Sequence, residues 1–158
     1  MQWIDARLLS MGVGDIKADL EKKVKALQLE NKIHFLGRLP FEEMMNKTKS
    51  AKLAISIDKA TNGNYAISLP NKIFEYIACS VPVLVSPLQE IKLIVEKYET
   101  GEFLSSYNPQ DLAKQITNLL NNDIKLDLIA ENCKKAAEEL CWENEETQIF
   151  KTIKQLEK

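Results

Sequence analysis

The chain of 158 residues is expected to fold as α/β, a doubly wound parallel sheet with helices on both faces and a helical C-terminus. Three observations predict this class. Five short apolar runs recur along the sequence, each followed by a stretch whose apolar residues fall at helical spacing. Alternation of strands and helices requires long right-handed crossovers, so the strands should lie parallel. Beyond Asn108 no strand-like run remains and the pattern is helical to the end. The length suits one domain of ordinary size, covering residues 1–158.

Ala6 to Met11 reads as the first strand, stopped by Gly12-Val13-Gly14, with Asp15 placed to cap a helix through its side chain. Ile16, Leu20, Val24 and Leu27 form one apolar stripe among charged neighbours, the mark of an amphipathic helix. Ile33 to Leu36, ended by Gly37, is the second strand. Pro40 suits a first helical turn and opens a short helix over Phe41, Met44 and Met45. Leu53 to Ile57 is the third strand, and Asp58 to Ser68 a polar loop with Asn62-Gly63-Asn64 at its tip.

Pro70 opens the next helix, over Ile73, Phe74, Tyr76, Ile77 and Ala78. Pro82 to Val85 is the fourth strand and Ile91 to Tyr98 a further helix, which Gly101 is expected to stop before a fifth strand over Glu102 to Ser105. Asn108-Pro109 is a cap followed by a first-turn proline, ahead of a buried stripe of Leu112, Ile116, Leu119 and Leu120. Two more helices, Ile124 to Leu140 and Trp142 to Leu156, complete the chain, with Trp142 expected to anchor the last one.

Composition narrows the function classes. Hydrophobic residues make up 45% and charged residues 28%, which suits a globular domain rather than a disordered or fibrous chain. With 21 Lys+Arg against 23 Asp+Glu the net charge is −2, so no global positive field gathers nucleic acid, and no nucleic-acid partner is expected. No apolar run approaches the length of a transmembrane segment. The opening Met1-Gln2-Trp3-Ile4-Asp5 reaches a charge at once, unlike a secretory leader. Cys79, Cys133 and Cys141 fit neither a disulfide framework nor a zinc site, so a cytoplasmic location and no bound metal are expected. His34, between Ile33 and Phe35, is expected to pack without a catalytic role, and Cys79 to serve as a small core residue.

In this class ligands bind outside the carboxyl ends of the strands, which directs attention to the loops at Gly12-Val13-Gly14, Gly37-Arg38, Asp58 to Ser68 and Ser86-Pro87. The densest polar passage is Ser68-Leu69-Pro70-Asn71-Lys72-Ile73-Phe74-Glu75-Tyr76, where polar residues surround a helix start. Free N–H groups and a partial positive charge at that start suit phosphate oxygens, and Lys72 adds a full cation. Glu75, three residues on and near the same helical face, could accept hydrogen bonds from two vicinal hydroxyls such as those of a ribose. The same two residues also fit an ordinary exposed ion pair on a surface helix. Arg38 stands open between a solvated loop charge and a contact to a base or phosphate. Gly12-Val13-Gly14 lacks the third glycine of a dinucleotide fingerprint, which argues against a nicotinamide enzyme.

The passage from Ser68 to Val83 resembles the signature of the C-terminal, donor-binding domain of GT-B glycosyltransferases, particularly glycosyltransferase family 4, a Rossmann-like fold. Leu8 to Gly14, Ile33 to Pro40, Ala51 to Ile57, Gly101 to Leu104 and Leu140-Cys141-Trp142 resemble other family stretches in order and spacing. The resemblance implies that Glu75 holds the donor ribose and that Lys72, with Asn71 and Pro70, lies near the diphosphate. It implies that Gly37, Arg38 and Leu39 form the loop against the nucleotide base, and that Gly12 and Gly14 form the glycine turn near the interdomain cleft. Family members commonly carry an acidic residue, which contacts the donor sugar, at the place of Ile67, so sugar recognition should differ here.

The implied reaction is transfer of a sugar from a nucleotide diphosphate sugar to a glycan or lipid-linked acceptor in surface or capsular polysaccharide synthesis. The donor is a substrate, and no cofactor is implied. Helix dipoles and protein cations would neutralise the leaving diphosphate. The N-terminal acceptor domain, and the first strand-helix unit of the donor domain, are expected to lie outside this chain. The expected partners are therefore the donor, an acceptor domain or partner subunit, and a second copy through self-association. Membrane contact would be peripheral, through the full enzyme. The isolated domain is expected to be inactive alone. Two alternatives stand beside this reading: a non-catalytic α/β interaction module, and half of a sugar-nucleotide epimerase.

Overall fold

The computed structural model describes residues 5–156. Met1 to Ile4, part of the segment read as unlike a secretory leader, lie outside the described residues. The elements run β1 (Leu8–Met11), α1 (Lys17–Ala26), β2 (Ile33–Gly37), α2 (Phe41–Lys49), β3 (Ala54–Ser56), α3 (Gly63–Ala66), α4 (Asn71–Ala78), β4 (Val83–Val85), α5 (Gln89–Tyr98), β5 (Gly101–Phe103), α6 (Pro109–Leu120), α7 (Asp123–Glu139) and α8 (Trp142–Leu156). This is the expected alternation of strand and helix followed by a helical C-terminus.

All strand pairs are parallel, but they form two sheets rather than one: β1-β2, and β3-β4-β5. Among the described residues no strand pairs β1 with β3. The three-stranded sheet carries the core. Val83, Leu84 and Val85 are all buried although alternate side chains point to opposite faces, the pattern of a strand covered on both sides. Ile73 and Ile77 of α4, Ile91 and Val95 of α5 and Ala136 of α7 join Val83 and Val85 in one cluster. The Ile73 and Ile77 pair falls four residues apart on one face of α4, which seats that helix and turns its other face outward.

Several local expectations give way to tertiary geometry. Asp15 caps nothing: α1 begins after Ile16 without a side-chain cap, because a turn from Gly14 already takes the Lys17 N–H at 3.1 Å. Asn108 does cap α6, accepting from the Gln110 N–H at 2.9 Å. Pro40 and Pro70 sit one residue before their helices in extended conformation. The polar loop contains the single turn α3, capped by Asn62, which accepts from the Tyr65 N–H at 3.0 Å. Glu99, at φ 51, takes the left-handed position that ends α5. Gly101 instead opens β5, where a Cβ would overlap the Val83 carbonyl oxygen and lie 2.5 Å from Val83 Cγ2. Trp142 is 65% exposed at the start of α8 rather than packed beneath it.

Candidate functional site

Strand β3 ends in Ser56 and β4 is followed directly by Ser86, and both serines are fully buried. Both reach the same residue beyond the sheet. The Ser56 hydroxyl donates to Asp58 Oδ2 at 3.1 Å, and the Asp58 N–H donates to Ser86 Oγ at 2.8 Å. From the loop after β5, the Tyr107 hydroxyl donates to the Asp58 carbonyl oxygen at 2.8 Å. Lys59 stands over the Tyr107 ring, its ammonium 5.6 Å from the ring centre, within reach of a cation–π attraction. Asp58 is thereby fixed at the carboxyl ends of the sheet by groups from three separate segments.

Helix α4 begins beside this cluster. Lys72 Nζ lies 3.3 Å from Asp58 Oδ2. The ion pair considered between Lys72 and Glu75 is therefore not the one Lys72 makes. Glu75, one turn further along, is half-buried, and among the described residues its carboxylate has no hydrogen-bond or ion-pair partner. Its charge is felt by its neighbours. Burial first, then the negative charges of Glu75 and Asp58, push the Tyr76 phenol above its usual range. Burial likewise raises the Cys79 thiol, with Lys49 opposing and Glu75 adding. Cys79 is a buried core side chain, as the sequence suggested. Pro70 and Asn71 precede Lys72 at the helix start, and the Pro70 carbonyl accepts from the Ile73 N–H at 3.1 Å.

The remaining candidates gather at the carboxyl ends of β1 and β2. The Gly12 N–H donates to the Gly37 carbonyl oxygen at 2.7 Å. Gly12 at φ 131 and Gly37 at φ 70 both need backbone conformations that side chains resist, which explains glycine at each. Gly12 and Gly14 line a depression of about 190 Å³ with Ile16, Lys17 and Phe35. Arg38 is exposed and Leu39 half-buried. The candidates thus fall into two groups, Pro70, Asn71, Lys72 and Glu75 at α4, and Gly12, Gly14, Gly37, Arg38 and Leu39 at the two-stranded sheet. A larger cavity of about 610 Å³, lined by Glu102, Asp111, Lys114 and Lys125 among others, contains none of these residues.

Sequence reasoning missed Asp58 and its clamp. The signal available was a serine closing each of two apolar strands, Ile55-Ser56 and Val85-Ser86, at the ligand-binding end of the sheet. Among the described residues no group of three or more His, Cys, Asp or Glu is placed to hold a metal ion, and no helix is long and apolar enough to cross a membrane.

Comparison with known proteins gives the fold a family. The profile of glycosyl transferases group 1 matches residues 2–139. An uncharacterized glycosyltransferase of Methanocaldococcus jannaschii is 27% identical over 134 residues, covering 83% of this chain and 36% of the relative. The chitobiosyldiphosphodolichol beta-mannosyltransferase of Candida albicans is 26% identical over 149 residues, covering 92% of this chain and 32% of the relative. The chain therefore spans about a third of the curated relatives it matches. Among solved structures, sucrose-phosphate synthase from Thermosynechococcus elongatus superposes with a TM-score of 0.78 at 21% identity, over 95% of this chain and 38% of that one. Anabaena HepE in complex with UDP-glucose superposes with a TM-score of 0.78 at 21% identity, over 94% of this chain and 41% of that one. The strand-helix order, the parallel sheets and the profile match agree: the chain belongs to glycosyl transferases group 1 and has the Rossmann-like α/β fold of GT-B glycosyltransferases.

Proposed function

We propose that this domain binds a nucleotide diphosphate sugar and serves as the donor half of a glycosyltransferase. Glu75 accepts hydrogen bonds from the two ribose hydroxyls, while Lys72 and the first turn of α4 face the diphosphate. The observation that carries the reading is the Glu75 carboxylate, half-buried and without a partner among the described residues, one turn after Lys72 at the carboxyl end of the sheet. Two charge-assisted hydrogen bonds are a natural use for such a group. Gly12, Gly14, Gly37, Arg38 and Leu39 form the second wall, against the base and the cleft. Charge on the departing diphosphate is offset by Lys72 and the helix dipole. The acceptor wall comes from a further domain or subunit, a reading supported by the chain's spanning about a third of its relatives. A strand supplied from outside residues 5–156 would join β1 to β3 and complete the doubly wound sheet. The pathway is surface polysaccharide synthesis in the cytoplasm, with a glycan or lipid-linked acceptor.

Calorimetric titration with UDP, GDP and their sugar nucleotides tests the reading. Binding by the unaltered chain and a loss of about tenfold or more in Glu75→Ala is expected, since hydrogen bonds to a charged group contribute about 1.5–3 kcal/mol each. Unchanged affinity in Glu75→Ala refutes the ribose assignment. A non-catalytic interaction module is the second reading. It is favoured by Ile67, 57% exposed, where the family resemblance led to the expectation of a sugar-contacting carboxylate.

A further inference from the structure

The Lys72 cation is already engaged, and its partner is unusually well fixed. Asp58 has its N–H on Ser86 Oγ at 2.8 Å, its carbonyl oxygen under the Tyr107 hydroxyl at 2.8 Å, and Oδ2 shared between the Ser56 hydroxyl at 3.1 Å and Lys72 Nζ at 3.3 Å. Both serines are fully buried, so the anchor points cannot drift with a surface loop. A loop carboxylate that met Lys72 by chance would need no such clamp. The arrangement holds one negative charge at a set place against the only lysine of α4. The Asp58 and Lys72 side chains keep 26% and 39% of their exposure, so a soluble anion can still reach the ammonium.

We propose that Asp58 is a positioning residue that acts through Lys72, holding its ammonium ready in the empty site and competing with the phosphates of the ligand for it. This rests on the diphosphate assignment above and adds a rule to it. When a diphosphate arrives, Lys72 exchanges a fixed carboxylate for a phosphate oxygen, and when the diphosphate leaves, the carboxylate takes the lysine back. The clamped Asp58 stays where it is and opposes the bound anion by like-charge repulsion. Affinity for the diphosphate is held down, which favours release of the diphosphate product.

The test uses the full chain and inorganic pyrophosphate, which carries the two phosphates without ribose or base. Asp58→Asn keeps the side chain's shape and an acceptor for Ser56 while removing the charge. It is expected to bind pyrophosphate about tenfold more tightly, the change that about 1.4 kcal/mol represents, with a steeper loss of affinity as salt is added. In a Lys72→Met background, where only the like-charge repulsion is left to relieve, the same Asp58→Asn change is expected to tighten binding clearly less, a coupling that a merely structural role for Asp58 would not produce. Equal or weaker binding by Asp58→Asn, tightening of the same size without Lys72, or no pyrophosphate binding by either chain overturns the proposal. Failure of the ribose assignment reads differently. Pyrophosphate would then behave as described, while UDP and GDP bound no better than pyrophosphate and ignored Glu75→Ala.

Discussion

Replacing Gly101 with alanine tests a close packing contact between β4 and β5. Gly101 faces Val83 across the parallel pairing of β4 and β5. A Cβ there would overlap the Val83 carbonyl oxygen and stand 2.5 Å from Val83 Cγ2 and 2.8 Å from the carbonyl carbon. Ordinary contacts between carbons lie near 3.5–4.0 Å, so β5 must retreat by about 1 Å. Two hydrogen bonds flank the contact, Val83 N–H to the Thr100 carbonyl at 3.2 Å and Leu104 N–H to the Val85 carbonyl at 2.7 Å. Stretching them by that distance forfeits about 1 kcal/mol each, and overpacking adds about 1–3 kcal/mol. Alanine recovers about 0.5–1 kcal/mol of backbone entropy relative to glycine. The net loss is about 2–4.5 kcal/mol, a large part of the roughly 5–15 kcal/mol that stabilises a domain. Urea denaturation followed by circular dichroism measures it, with Gly63→Ala as the control because nothing lies within 4 Å of a Cβ there. A midpoint for Gly101→Ala within experimental error of the control would refute the argument.

Other outcomes follow from the caps and the buried thiol. Asn108→Ala is expected to cost about 1 kcal/mol of stability, whereas Asp15→Ala should leave the denaturation midpoint unchanged because Asp15 caps no helix. Equal losses in the two variants would contradict this. Burial pushes the Cys133 thiol from 9.0 up to about 12. Below that lower value folded and unfolded chains both keep the proton, and the thiol imposes no pH dependence. Above it the unfolded chain releases the proton first, so stability falls as pH rises toward about 12, by up to about 4 kcal/mol in total. Cys133→Ala should remove that part of the alkaline slope in urea titrations at several pH values, and parallel slopes for the two chains would sink the assignment.

The elements were legible where one face of a segment meets the core. Ile73 and Ile77 announced α4, and the run Val83 to Val85 announced β4, because burial imposes a period of its own on each kind of element. Local signals misled where a distant group decided the outcome. Gly101 looked like a helix stop, but the need for glycine comes from Val83, a neighbour across the sheet. Asp15 had the chemistry of a cap, but the turn at Gly14 had already taken the amide it would bind. Lys72 and Glu75 were visible as a pair at helical spacing. Asp58 was not, because its partners Ser86, Tyr107 and Lys72 lie far along the chain and meet it only once β3, β4 and α4 are packed.

The division of the strands into two sheets orders the candidate residues in a way the sequence did not suggest. The glycines at 12 and 37 are tied to each other through β1 and β2, and Lys72 is tied through Asp58 to the ends of β3 and β4. Each group is thus built by its own sheet. A nucleotide that touches both would bridge the place where β1 and β3 end, the position at which doubly wound folds reverse their strand order and open a crevice. Binding through α4 and binding through the glycine turns are then separable contributions. On the proposed function, substitutions at Glu75 or Asp58 are expected to act on ribose and phosphate, and those at Gly37 or Arg38 on discrimination between UDP and GDP. The clamp on Asp58 lies at the end of the sheet that carries the core. In the proposed function that sheet would be the fixed reference against which the donor's diphosphate is placed.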